Sequence, residues 1–164
     1  MLTCFDVIAN AVRAWESREK YIYFYGAKGY ILTPEMMDSL IQAEPDYFAR
    51  YSPEDLKAIK ARSLYKTGID CSGFINLVSG QYNYSTGYIS EALNLTTPDK
   101  GTWGNILYTT FGGTGRHIGL DIGAGRFMHI GTMGRTLEMG LIRDFAWEKS
   151  GQIRNIDYTL TSDK

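Results

Sequence analysis

The segment Gly68–Gly80, GIDCSGFINLVSG, sets the architecture. Cys71, Phe74, Ile75 and Val78 recur at helical spacing, which predicts a helix starting at or just before Cys71. Asp70 is its candidate N-cap, and Gly80 is placed to end it. Unpaired N–H groups and the helix dipole at such a position favour a thiolate, the form in which cysteine attacks. The same donors can supply part of an oxyanion hole, and Gly73 lets a substrate or a second backbone come close. A cysteine at a helix start, taken alone, is better explained as a buried packing residue.

The histidines add a second constraint. The chain has two, His117 and His129, and both fall in one predicted hairpin. Ile118, Leu120 and Ile122 alternate with His117, Gly119 and Asp121, the period of a half-buried strand. With Gly123-Ala124-Gly125 as the turn, Ile122 pairs with Arg126 and His129 lies opposite Gly119. That puts His129 one diagonal step from His117, on the same face. A nucleophile, a base beside it and a third group orienting the base form the general pattern of an activated thiol. Cys71, His117 and His129 fill those three places in that order. Zinc is the chemical rival for the same residues. Cysteine-containing zinc sites usually carry paired ligands at short spacing, such as C-x2-C or H-x3-H, and this chain has neither. No metal and no cofactor is expected.

Working outward, Phe5, Ile8, Val12 and Trp15 predict an amphipathic first helix, with Cys4 on it as a structural thiol. Tyr21–Gly29 reads as an extended segment running into a turn. Thr33-Pro34-Glu35 and Ser52-Pro53-Glu54 open two helices, each with a hydroxyl cap, a proline at the first position and an early acid. Met36, Met37, Leu40 and Ile41 supply the apolar face of one; Leu56, Ile59 and Leu64 supply that of the other. Pro45 helps to end the first. Residues 81–100 read as a surface loop with a short helix around Glu91 to Leu95. Further strands are expected at Arg126–Ile130, Arg135–Leu141 and in the tail from Ile153 to Leu160. Helices first and antiparallel strands later argue for an α+β fold in a single domain spanning 1–164, with no internal repeat.

Composition narrows the function. The 164 residues carry 17 basic and 18 acidic side chains for a net charge of −1, with no basic stripe, so no nucleic acid is expected as a partner. No apolar run approaches the ~18 residues of a membrane span. Asp6, Asn10 and Arg13 interrupt the start as a signal peptide, so any export would use another route or a leader outside this sequence. Two cysteines are too few for a disulfide framework. The 12 tyrosines suit a core margin or a groove that grips sugars or peptides. A monomer is expected.

DCSGF at Asp70–Phe74, RHIGLDIGAG at Arg116–Gly125 and FMHIG at Phe127–Gly131 together resemble the NlpC family of cell-wall cysteine peptidases, a compact version of the papain-like fold. The resemblance implies Cys71 as nucleophile, His117 as base and His129, twelve residues on, as the group that orients it. Tyr23-Phe24-Tyr25-Gly26-Ala27 is similar to the family's aromatic segment lining the active site, but it lies 48 residues before Cys71. The helical insert at about 29–67 separates the two, a layout like that of prophage-encoded members. By the same resemblance the substrate is a peptidoglycan stem peptide or muropeptide. Tyr23, Asp70 and Ser72 would touch it, and the bond cut joins γ-D-glutamate to a diamino acid. For Asp70 and Ser72 a purely structural role, helix capping and turn bonding, stands beside that one. The alternatives are an N-acetylmuramoyl-L-alanine amidase, a thiol acyltransferase and a catalytically inactive wall-binding module.

Overall fold

A computed structural model describes residues 1–161, so the last three residues of the 1–164 domain lie outside the described residues. Helix α1 (Cys4–Glu16) opens on a reciprocal cap between Thr3 and Asp6. Its buried face is Cys4, Val7, Ala11 and Ala14. The expected stripe of Phe5, Ile8, Val12 and Trp15 is one residue out of phase, with Phe5 and Val12 exposed. Small side chains on the true inner face let this helix lie close to a neighbouring helix, and Phe5 instead meets Trp103 edge to face.

Strands β1 (Tyr21–Tyr23) and β2 (Lys28–Ile31) follow, then helices α2 (Pro34–Ala43), α3 (Pro45–Phe48) and α4 (Pro53–Ser63), then β3 (Thr67–Ile69). Thr33 and Ser52 cap α2 and α4 as their sequence signatures imply, each with proline at the first position. Leu64, expected on the apolar face of α4, is exposed. The three strands form a small sheet ordered β1-β3-β2, parallel between β1 and β3 and antiparallel between β2 and β3. Both ends of the 29–67 segment, expected as an insert, are therefore tied into one sheet. Its last strand delivers the chain directly to Cys71.

Helix α5 (Cys71–Ser79) begins at Cys71, with Asp70 as cap, and ends on Gly80 in the left-handed region at φ 67°. Phe74, Ile75 and Val78 are fully buried, and each such side chain contributes about 2 kcal/mol. Helix α6 (Ser85–Glu91) and edge strand β4 (Leu93–Thr96) occupy the segment expected as a loop. The short helix thus ends where one around Glu91 to Leu95 was expected to begin. Leu93–Thr96 pairs with a distant strand, which local propensity does not register.

The remaining strands are β5 (Ile106–Thr109), β6 (His117–Gly123), β7 (Arg126–His129), β8 (Glu138–Leu141) and β9 (Lys149–Gln152). They join β4 in a six-stranded antiparallel sheet ordered β4-β9-β5-β6-β7-β8, and α5 packs against β6. The final strand lies at 149–152 rather than in the tail. From Ile153 on, the described chain adds an isolated bridge between Thr3 and Asp157 and a short 3-10 helix at Thr159–Thr161. The β6–β7 turn also differs from its sequence reading. Gly123, not Ile122, pairs with Arg126, leaving Ala124 and Gly125 as a two-residue turn with φ of 53° and 69°. Positive φ at both central positions suits the twist of a hairpin. A bulge between Asp121 and Gly123 then restores the expected pairing, with Asp121 opposite Phe127 and Leu120 opposite Met128.

Candidate active site

Three elements meet at Cys71: the first turn of α5, the start of β6 and helix α6. The main-chain N–H of Ile118 and the Ser85 hydroxyl both approach the Cys71 sulfur, the latter at 3.3 Å. The Cys71 side chain is 8% exposed. Burial pushes the thiol's pKa up, and Asp70 beside it adds to the rise. The Ser85 and Ile118 donors and the Lys28 charge oppose it. The helix-start reading anticipated a depressed value; desolvation and an adjacent carboxylate outweigh the Ser85 and Ile118 hydrogen bonds and the Lys28 charge here.

On the neighbouring strands, Nε2 of His117 lies 2.6 Å from Nδ1 of His129. Both rings are buried. His117 stacks on Trp147 with ring centres 5.6 Å apart and planes at 14°, while His129 meets Phe127 and Phe145 edge-on. This apolar cage, with His129 adjacent, lowers the pKa of His117 to about 3. Burial lowers that of His129 too, against the pull of Glu138. Glycines make room for the rings. A Cβ at Gly131 would come 3.0 Å from Cε1 of His117, and one at Gly119 would meet Trp147 at 2.9 Å.

The structure thus brings the two histidines into contact and sets Cys71 against the residue after His117. Among the hydrogen bonds of the described residues, the side-chain partner of the Cys71 sulfur is Ser85 rather than His117. With His117 Nε2 engaged by His129, its Nδ1 is the nitrogen left for the thiol.

Of the other expected contacts, Tyr23 is buried beside Cys71, and its hydroxyl is hydrogen-bonded to Tyr47 of the insert. Asp70 Oδ1 accepts from the Gly73 N–H at 2.7 Å and from the Ser72 hydroxyl at 3.0 Å. Lys28 bonds both carboxylate oxygens at 2.8 Å and also reaches the Ser72 hydroxyl. Asp70 and Ser72 are thereby committed to capping and ion pairing.

Sequence reasoning missed four contributors. Lys28, Ser85 and Tyr47 carry no local signal. Glu138 pairs with His129 across β7 and β8, with Oε2 3.4 Å from Nε2, and strand register alone would have found it. Tyr23, Tyr25, Tyr47, Arg50, His117 and Glu138 are among the residues lining a cleft of about 1320 Å³. Among the described residues no cluster of His, Cys, Asp and Glu is arranged to hold a metal ion, and no helix is long and apolar enough to cross a membrane.

No family model matches the chain, and no curated protein matches it. Solved structures do. The NlpC/p60 domain of the peptidoglycan hydrolase SagA is 18% identical, covering 93% of this chain and all of that one, with a TM-score of 0.56. The peptidoglycan hydrolase RipB of Mycobacterium tuberculosis is 17% identical over 94% of this chain and 67% of that one, at 0.54. NlpC2 from Trichomonas vaginalis is 13% identical over 90% of this chain and 47% of that one, at 0.52. With the helix that begins at Cys71 packed on an antiparallel sheet that carries both histidines, the chain has the α+β fold of an NlpC/p60 domain.

Proposed function

We propose that the protein is a cysteine peptidase of bacterial cell-wall peptidoglycan, with Cys71 as nucleophile, His117 as base and His129 as the group that orients the base. The observation carrying this reading is the 2.6 Å bond between His117 Nε2 and His129 Nδ1, on a strand whose next N–H meets the Cys71 sulfur. In this scheme His117 Nδ1 takes the Cys71 proton as sulfur attacks the scissile carbonyl, then returns it to the leaving amine. The tetrahedral oxyanion is stabilised by main-chain N–H groups at the start of α5, where intrahelical acceptors are lacking. Water then hydrolyses the thioester, with His117 again as base.

The substrate is a peptidoglycan stem peptide, and the bond is that between γ-D-glutamate and a diamino acid. The tyrosine-lined cleft suits an extended, partly apolar chain bearing carboxylates. The site would act at the cell wall as a monomer, without metal or cofactor. Tyr23 lies where it can touch substrate. Asp70 and Ser72 support Cys71 from behind.

Digestion of purified muropeptides followed by mass spectrometry tests the reading. New termini at the diamino acid are expected from the wild type and from Cys4→Ala, and none from Cys71→Ala. Release of intact stem peptides from muramic acid would instead identify an amidase. Equal loss from both cysteine substitutions would overturn the assignment of Cys71.

A further inference from the structure

Three of the helices with side-chain caps, α1, α2 and α4, begin on the neutral hydroxyls Thr3, Thr33 and Ser52; α5 begins on a carboxylate. That carboxylate, Asp70, immediately precedes Cys71 and is buried. A fixed anion beside a thiol opposes formation of the thiolate that attack requires. The fold answers with a cation from a different element. Lys28 of β2 sits with Nζ 2.8 Å from each oxygen of Asp70 and also bonds Ser72, so both residues flanking Cys71 are held by one ammonium group. The pair is enclosed, with side chains 11% exposed on each partner, and Tyr84 covers the ammonium at 5.0 Å from its ring centre. The backbone reinforces the arrangement: Lys28 pairs with Ile69, and the Asp70 N–H donates to Ala27 O at 2.8 Å.

We propose that Lys28 is a positioning residue for the nucleophile: it offsets part of the charge of Asp70 and ties Asp70 to Ser72, so that a charged helix cap can hold Cys71 with less repulsion of its thiolate. The proposal rests on the reading of Cys71 as nucleophile. A hydroxyl cap would need no such partner, whereas a buried carboxylate without one would be costly. The ionisable groups whose charge reaches Cys71 or Asp70 come from every side: Asp70 at the start of α5, Lys28 and Tyr30 from β2, Tyr23 from β1, Tyr25 from the connection between β1 and β2, and Tyr82 from the connection between α5 and α6. His117 lies on the strand that meets the sulfur through the Ile118 N–H. Lys28 is the cation among them that contacts Asp70 directly.

The test is the pH dependence of Cys71 alkylation by iodoacetamide, followed peptide by peptide by mass spectrometry, with thermal melts to establish folding. Lys28→Met should move the alkylation midpoint about one pH unit upward, and Lys28→Arg should stay near wild type. The double variant Lys28→Met/Asp70→Asn should return it, because an asparagine oxygen still accepts from the Gly73 N–H while both charges are gone. Asp70→Asn alone, leaving Lys28 unopposed, should move it downward, and this arm decides the matter if Lys28→Met does not fold. An unchanged midpoint in Lys28→Met, or in Asp70→Asn, overturns the proposal. Alkylation needs no substrate, so turnover by Cys71→Ala would count against the nucleophile reading, whereas unmoved midpoints count against Lys28.

Discussion

His117 Nε2 and His129 Nδ1 are 2.6 Å apart, and His129 Nε2 is 3.4 Å from Glu138 Oε2. One set of tautomers satisfies the whole row: His117 donates from Nε2 to His129, and His129 donates from Nε2 to Glu138. That leaves His117 Nδ1 unprotonated, as the proposed role of base requires.

The row predicts graded losses. His117→Ala should lower kcat/KM by about 10³-fold, without rescue by His117→Asn, because an amide cannot take up a proton at this pH. His129→Asn or His129→Gln should keep a measurable fraction, about a tenth, since an amide oxygen can still accept from His117. His129→Ala should be worse than either. Glu138→Gln should cost only a few-fold, because its contact is longer and half open to solvent. Steady-state kinetics on one muropeptide would rank the six variants, and a Glu138→Gln loss exceeding that of His129→Ala would contradict the order.

Protonation behaviour follows from burial. With its pKa lowered to about 3, His117 is neutral around neutral pH, so its ring signals in NMR should not titrate between pH 5 and 8. The Cys71 thiol is shifted the other way, so its alkylation in the substrate-free protein should keep rising above neutral pH rather than level off below it. Ser85→Ala removes a donor to the sulfur and should shift that rise further to alkaline pH. A plateau in alkylation between pH 5 and 7 would indicate a preformed thiolate.

Tyr47 and Arg50, from the 29–67 segment, contribute part of the cleft wall. Tyr47 stacks on Tyr25 with ring centres 3.7 Å apart and planes at 12°. Arg50 lies over Tyr47 at 4.2 Å with its Nε donating to Tyr47 O. A guanidinium fixed this way keeps its outer N–H groups for a carboxylate. Arg50→Ala should raise KM about tenfold for stem peptides with free carboxylates and much less for their amidated forms. Equal changes for both would leave the wall with a packing role alone.

Asp121 predicts a pH effect on stability separate from the site. It is buried with its pKa raised to about 6, desolvation outweighing the Gly123 N–H that Oδ1 accepts. A raised carboxyl pKa means that the folded state holds its proton longer than the unfolded chain, so stability is lost as pH rises from about 4 through about 6. At about 1.4 kcal/mol per unit the loss is on the order of 2–3 kcal/mol. Asp121→Asn should therefore raise Tm at pH 7.5 and change it little at pH 4. Equal shifts at both would point to packing rather than charge.

Local chemistry made much of this protein legible before folding. The caps at Thr33, Ser52 and Asp70, the helix start at Cys71, its end at Gly80 and the common face of His117 and His129 all follow from spacings within a few residues or across one hairpin. The even register survived even though the turn was misplaced, because the bulge beside Gly123 compensates for the two-residue turn. Tertiary structure decided the rest. Which face of α1 is buried depended on Ala11 and Ala14 allowing close approach, where hydrophobicity had favoured Phe5 and Val12. The ion pair of Lys28 with Asp70, the contact of Ser85 with Cys71 and the reach of Tyr47 to Tyr23 join residues between 14 and 42 positions apart, with no periodicity to announce them. The direction of the Cys71 and His117 pKa shifts also belongs to the folded state. Desolvation is the summed effect of everything packed around a group, and a sequence names the group without its surroundings.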